Sequence, residues 1–372
     1  LTLRGADERT VRDAVETGDP LPGTAGFAGE VDGALVRDVL GRQPLFVDED
    51  DPGAWSFDRR DLRTPASLPP GAVRPLDSAA SASEGEAAWT LPDPSPYEDR
   101  EGGLDAVRDA VVESIESVDS AGLAVAFSGG VDSAVVAAGV PDAPCYVVGF
   151  EGSHDLAAAR AAAGAMGRDL RAVELTHGDL RAAVPELVSA LGRTNPMDLQ
   201  IVLPLYLAAK RAAADGFDRL AVGQGADELF GGYAKVEKAP DDPRVEADTV
   251  RGAAREMVRT LPDQLERDVL ALRAAGVEPV APLLHDRVVA AALPLPGESL
   301  VRDGVRKVAL REVARTLVPE SVAAADKKAV QYGTYASREL DRLARRAGFK
   351  RRMDDHVEKY VRSLVRDAAD EF

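Results

Sequence analysis

The sequence predicts an α/β fold: a parallel sheet covered by helices, continued by a helical C-terminal part and preceded by a small strand-rich unit. Three observations lead there. Short apolar runs, "GLAVAFSGG", "APCYVVGF", "LRAVEL" and "RLAVGQG", recur through the middle of the chain. Segments of helical spacing separate them, and apolar strands alternating with helices imply a sheet buried on both faces. Beyond about residue 245 the pattern is helical to the end.

Taken in order, residues 1 to about 75 hold short apolar runs such as "GALVRDVLG" and "QPLFVD", broken by Gly, Pro and Asp. They read as a strand-rich or mixed unit with little helical period. The stretch "LDSAASASEGEAAWTLPDPSPYEDREGG", rich in Ser, Ala, Pro and acid, reads as a linker. The domain boundary is therefore placed near residue 95, giving units 1–95 and 96–372. In the second unit Leu104, Val107, Val111, Ile115 and Val118 recur at helical spacing before the first apolar run. An Ala-rich helix is expected over about 155–167.

Composition narrows the functional classes. The 372 residues carry 63 acids against 45 bases, a formal charge of −18, which argues against a broad nucleic-acid footprint. Only eight of the bases are lysines, and the excess of acid with abundant Ala fits a protein adapted to high salt. A GC-rich genome with an ordinary acidic protein is the rival explanation. A single cysteine, Cys145, excludes internal disulfides and multi-cysteine metal sites, and its apolar surroundings point to a small buried hydrophobe. With no run long enough to span a membrane and no leader, the expectation is a cytoplasmic protein.

Two segments carry chemistry. "AVAFSGGVDSAVVAAG" runs strand, turn, helix. Gly129 and Gly130 let backbone approach an anion, and the helix from about Val131 aims its N-terminus at the same point, which favours phosphate. Ser128 and Ser133 add hydroxyl donors, and Asp132 is a hard oxygen ligand suited to Mg²⁺. The terminal Gly-Lys-Ser/Thr of a Walker loop is absent. A purely steric turn, with Asp and Ser capping the helix, is the bland alternative. The second segment, "VGQGADELFGGY" (222–233), follows the apolar "RLAV" and packs four glycines around Asp227 and Glu228. Asp227 can share Mg²⁺ with Asp132 across the carboxyl edge of the sheet, while Glu228 can support the loop through backbone N–H groups.

"SGGVDS" resembles the pyrophosphate loop of N-type ATP pyrophosphatases, and "GQGADELFGGY" resembles the "S-G-E-G-A-D-E-L-F-G-G-Y" signature of asparagine synthetases and their relative β-lactam synthetase. Further segments match in order: "VVGF", "GVEPVAPLLHD", "RKVALRE" with Lys307 and Arg311, and "DKKAVQYG". The resemblance implies a Rossmann-like synthetase domain that cleaves ATP between the α and β phosphates, with Mg²⁺ as cofactor. It places Phe127, Ser128, Gly129, Gly130, Asp132, Ser133, Val148, Val222 and Gly223 at the nucleotide, and Asp132 and Asp227 at the metal. Lys328, Glu278, Gln224 and Lys307 become the catalytic candidates. A fixed lysine cation suits negative charge growing on the α-phosphate.

The N-terminal segments "LVRDVLGRQPLFVD" and "SLPPGAVRPLD" resemble the later part of the glutaminase (Ntn-hydrolase) domain of glutamine-dependent asparagine synthetases, through Arg37, Asp38, Gly41, Pro44 and Leu45. That mechanism needs an N-terminal cysteine, and residue 1 is Leu, so the expectation is a shortened remnant serving as scaffold or interface.

Three positions depart from the asparagine-synthetase pattern: Val222 for Ser, Gln224 for Glu, and Val280 for Arg. A glutamine orients an amine through its carbonyl but takes no proton; Glu278 stands as the alternative base. The leading expectation is ATP-dependent amide formation through an acyl-adenylate, from aspartate and ammonia that is free or supplied by a separate glutaminase. Three alternatives stay open: a ligase for another carboxylate or amine, a tRNA-modifying enzyme, and a non-catalytic or regulatory ATP-binding paralogue. Small-molecule substrates are the expected partners, with no nucleic acid and no membrane; a homodimer is compatible with the resemblance.

Overall fold

The computed structural model describes residues 2–78, 87–239, 247–325 and 334–370. At its centre lies a five-stranded parallel sheet: β1 (Leu123–Ala126), β2 (Cys145–Gly149), β3 (Leu170–Glu174), β4 (Arg219–Ala221) and β5 (Glu278–Val280), in the spatial order β3-β2-β1-β4-β5. The apolar runs form strands because both faces are covered. Val125 and Val147 face one apolar cluster with helices α1 (Arg100–Glu116) and α2 (Val131–Gly139). Ala124, Tyr146 and Val148 face a second cluster with α4 (His177–Leu191) and α5 (Pro196–Ala214). This two-residue alternation is the pleat of each strand expressed in burial. Helix α3 (His154–Met166) joins β2 to β3, and Cys145 is fully buried, as expected.

The order fixes where a site can lie. From β1 the chain moves outward to β2 and β3, then returns to β4 on the other side. The carboxyl ends of β1 and β4 therefore flank the switch point of the sheet, where open α/β folds have their crevice.

The N-terminal region is a four-stranded antiparallel sheet (Leu3–Arg4, Ala28–Val31, Ala34–Arg37, Val73–Pro75) beside a three-stranded one (Trp55–Ser56, Phe46–Asp48, Pro65–Ser67). It also contains a helix, Glu8–Thr17, that the strand-rich reading passed over. Asp7 caps it by accepting the Thr10 N–H, and Gly18 ends it in the left-handed conformation. Within the expected linker Trp89 is buried edge-on against Phe27, and α1 starts at Arg100, inside the quoted stretch. Phe27, Leu40 and Trp89 share one apolar cluster with Val107 and Val111 of α1, on the other side of residue 95.

The family-like residues of this region are internal braces. Arg37, 1% exposed, donates to Ser67 Oγ and to the carbonyls of Leu68 and Gly41. Asp38 accepts from the backbone N–H groups of Phe27, Leu40 and Arg42. Arg42 then bridges Asp38 at 2.8 Å and Asp286 at 2.7 Å, and donates to the carbonyl of Leu284. All three side chains are buried. No helix among the described residues is long and apolar enough to cross a membrane.

Removing one member of a buried ion set leaves the others charged and unpaired, which costs about 3–5 kcal/mol. Arg42→Met should lower the unfolding free energy by that amount in urea titrations; a change within experimental error would show that the bridge contributes nothing.

Candidate active site

Each functional turn starts where an apolar strand stops. After β1, Ser128, Gly129 and Gly130 turn the chain into α2. Gly129 holds φ +77°, and a Cβ there would lie 2.6 Å from the Ala158 backbone, so only glycine fits. Gly130 starts α2 with no side-chain cap, leaving the first N–H groups of the helix for an anion. The Ser133 hydroxyl braces this turn, donating to the Gly130 carbonyl and accepting the Ser128 N–H.

After β4, Val222 donates its N–H to the Val280 carbonyl, and the chain enters Gly223–Gly225. A Cβ on Gly223 would sit 2.9 Å from the Asp132 Cβ, so the two turns touch. One cavity of about 590 Å³ opens over both. Its lining includes Phe127, Ser128, Asp132, Ser133, Val148, Val222, Gly223, Gln224, Asp227 and Lys307. Gly129 and Gly130 face a smaller neighbouring cavity that shares Ser128.

The charged centre is a lysine between two aspartates. Lys307 Nζ lies 2.7 Å from both carboxylate oxygens of Asp132 and 2.7 Å from Asp227 Oδ1. Burial opposes its charge, but Asp132 and Asp227 outweigh that and hold its pKa above the usual lysine value. Lys307 sits at φ +60° just before α7 (Val308–Leu317), a conformation uncommon for a residue with a side chain. Gly232 makes room for the triad: a Cβ there would stand 1.9 Å from Asp227 Oδ1 and 2.4 Å from Lys307 Cε.

Two carboxylates converging on one cation position suit a hard divalent ion as well as an ammonium. Among the described residues no group of three or more His, Cys, Asp or Glu is placed to hold a metal. Asp132 and Asp227 are the residues that would hold Mg²⁺ here.

One expectation changes. Glu278 is not at the cavity: it begins β5, in register with Arg219 at the amino end of β4, and pairs with Arg4 and Arg273 at 3.1 Å with a half-exposed side chain. In a parallel sheet that end lies on the edge opposite the crevice, so Glu278 is no base for chemistry there. The Glu228 carboxylate accepts from the Tyr233 hydroxyl as well as from backbone N–H. Burial pushes Glu228 up to about 7, against the Tyr233 hydrogen bond, while burial raises the Tyr233 phenol and keeps it a donor. Lys328 lies outside the described residues. Its segment is flanked by Ala325 and Thr334, which both line the cavity, and Arg311 donates to the carbonyls of Ala323 and Ala325.

The structure adds residues that the sequence reading missed. Gln224 Nε2 donates to Asp268 Oδ2 at 2.5 Å, and Arg267 Nε donates to Asp268 Oδ1 at 2.7 Å. Both acid and arginine lie on α6 (Leu261–Ala274), line the cavity and are buried. No spacing signal marks them, because Asp268 meets Gln224 across 44 positions of sequence.

The two glycine-rich turns and the Lys–Asp–Asp centre lie at the switch point of a parallel sheet, which defines an open α/β protein with its crevice at the carboxyl ends of the strands. The comparisons make the class specific. The asparagine synthase family model matches residues 104–254 and 235–371, and the chain belongs to that family. It is similar to a Methanocaldococcus jannaschii protein provisionally named as a glutamine-hydrolyzing asparagine synthetase, at 28% identity over 89% of this chain and 72% of that one. It is similar to the glutamine-hydrolyzing asparagine synthetase B of Escherichia coli K12 at 26% identity, over 82% of this chain and 60% of that protein. A Brassica oleracea glutamine-hydrolyzing asparagine synthetase matches 52% of this chain at 27% identity, spanning 34% of its own length.

The Glu228 carboxyl sets a pH dependence. Its folded pKa of about 7 exceeds the ordinary 4.5, so the folded state binds the proton more tightly. Its contribution to stability is full below about pH 4.5 and is lost as pH rises through about 7. Without nucleotide or metal, wild-type stability should therefore fall relative to Glu228→Gln between those values, by about 3 kcal/mol. Parallel stability–pH curves for the two proteins would contradict this.

Proposed function

We propose that this chain uses ATP to form an amide from aspartate and ammonia, releasing AMP and pyrophosphate. The observation that carries the reading is the Asp132–Lys307–Asp227 centre at the join of the two glycine-rich turns, in a chain of the asparagine synthase family. The chemistry balances in two steps. A carboxylate oxygen attacks the α-phosphorus of ATP and pyrophosphate leaves, giving an acyl-adenylate. The nitrogen lone pair then attacks the acyl carbon, the bond from that carbon to the AMP oxygen breaks, and nitrogen gives up a proton to the medium.

The chain's own groups match these needs. The open N–H groups at the start of α2 and the Ser128–Gly130 turn receive the departing phosphates. Lys307 moves its ammonium from the aspartates to phosphate oxygens as the nucleotide enters, and offsets charge there. Asp132 and Asp227 would hold Mg²⁺, which when bound would neutralise pyrophosphate charge. Val148 and Val222, both buried in the sheet, offer an apolar wall for the base. Residues 1–95 serve as a scaffold, since Arg42 fixes the Leu284 carbonyl beneath the second turn, where a Cβ on Gly225 would meet the Leu284 side chain at 2.3 Å. Nitrogen is taken as ammonia, free or from a separate glutaminase.

A second reading keeps adenylation and changes the carboxylate. Val280 supports it: an apolar side chain packed on the core stands where the resemblance expects an arginine, the natural clamp for a substrate carboxylate.

Sustained, multiple-turnover pyrophosphate release in concentrated KCl, with ATP, Mg²⁺, aspartate and ammonium, should require all four. Lys307→Met should lower kcat by about two to three orders of magnitude, the scale of a lost transition-state charge contact. Release with another acid but not with aspartate selects the second reading, and no carboxylate-dependent release overturns both.

A further inference from the structure

The site holds a cation of its own. Lys307 Nζ lies 2.7 Å from both oxygens of Asp132 and 2.7 Å from Asp227 Oδ1, so one ammonium engages three carboxylate oxygens on two turns. These are the same two aspartates that suit a hard divalent ion, and the ammonium occupies the position on which they converge. The lysine is no loose surface arm, since it is buried and its side chain is 10% exposed.

Its backbone is pinned as well. Arg306 donates to the Gly232 carbonyl, and Arg311 Nε donates to the Arg306 carbonyl. The Arg311 N–H donates to the Lys307 carbonyl at the head of α7. Lys307 is thus held at its φ of +60°, and only its side chain is left to move. An ammonium on such a stem can swing to a neighbouring anion but stays within reach of both aspartates.

The charge balance shows what this does to a metal. Two carboxylates and one ammonium leave a single net negative charge; without the lysine the pair would carry two. Among the described residues no third His, Cys, Asp or Glu joins them as a metal-holding group. Mg²⁺ binds proteins through one or two carboxylates and draws further oxygens from phosphates. A divalent ion arriving alone would have to displace an ammonium that makes three close contacts, and would gain two carboxylates in return. A polyphosphate changes both sides of that exchange, because its oxygens give the ammonium a new anion and the ion new ligands.

We propose that Lys307 is a built-in counter-ion that keeps divalent metal out of the Asp132–Asp227 seat until a polyphosphate draws its ammonium away. Metal affinity is then low in the nucleotide-free protein and high in the nucleotide-loaded one, and by linkage each ligand strengthens the other by the same factor. The device rests on the phosphate-binding half of the reading above and is independent of amide formation.

Equilibrium dialysis with Mn²⁺ as the probe reads bound metal without turnover, and concentrated KCl screens the acidic surface. A protein carrying Asp132→Asn and Asp227→Asn supplies the background from other carboxylates. Without nucleotide, wild type should retain little more Mn²⁺ than this background. Lys307→Met should bind Mn²⁺ about 10- to 100-fold more tightly than wild type, the scale of a charge-assisted hydrogen bond no longer competing. Should Lys307→Met fail to fold, Lys307→Gln, which keeps the stem and drops the charge, reads the same gain. Adding α,β-methylene-ATP, which resists cleavage between the α and β phosphates, should raise Mn²⁺ affinity by a larger factor in wild type than in either variant. Equal Mn²⁺ affinities in wild type and the variants without nucleotide would overturn the proposal. A gain in the variants with no response of wild type to the analogue upholds the exclusion of metal and overturns the phosphate reading of the cavity instead.

Discussion

The Lys307 ammonium lies 2.7 Å from carboxylates on two different turns, one after β1 and one after β4. Neither Asp132 nor Asp227 could be held so close to the other without a cation between them, and most of the local architecture serves that arrangement. Gly223 lets the turns touch, and Gly232 clears space for the lysine stem. The hairpin Val301–Arg302/Val305–Arg306 delivers Lys307 at its positive φ, and Arg306 ties the hairpin to the Gly232 carbonyl. A cation that belongs to the chain keeps the site assembled before any nucleotide arrives, and the same two carboxylates suit the metal that accompanies one.

That centre is built on a rigid base supplied from far away in sequence. Arg42, buried with Asp38 and Asp286, fixes the Leu284 carbonyl; the Leu284 side chain in turn packs under Gly225. Glu266, two residues before Asp268 on α6, lies 3.6 Å from Arg37 and accepts from Ser67. The N-terminal region thus supports both the second turn and the helix that carries the Gln224 partner. Arg37 and Asp38 are matched by resemblance to a glutaminase, yet their contacts here are those of interior braces.

Legibility in the sequence followed locality. The Ser128–Ser133 and Val222–Asp227 segments could be read because a turn after an apolar strand displays consecutive residues at one place. The sheet was legible for the same reason: alternating apolar runs and helical spacing are local signals. Glu278 was misplaced because "GVE" does not reveal which end of its strand faces the crevice; only the register with Arg219 does. Asp268 was invisible, since its meaning comes from a contact with Gln224 made by packing α6 over the sheet edge. The helix Glu8–Thr17 was missed because it buries only Val11 and Ala14, although Asp7 and Gly18 mark its ends.

The proposed amide formation passes a carboxylate oxygen to the α-phosphate of ATP at this site. The most direct measurement is isotope transfer. Aspartate with both side-chain carboxylate oxygens labelled with ¹⁸O, incubated with ATP and ammonium, should yield AMP carrying one ¹⁸O for each amide formed, detected by mass spectrometry. Amide formed with unlabelled AMP would contradict the account, because the acyl-adenylate would then not lie on the path.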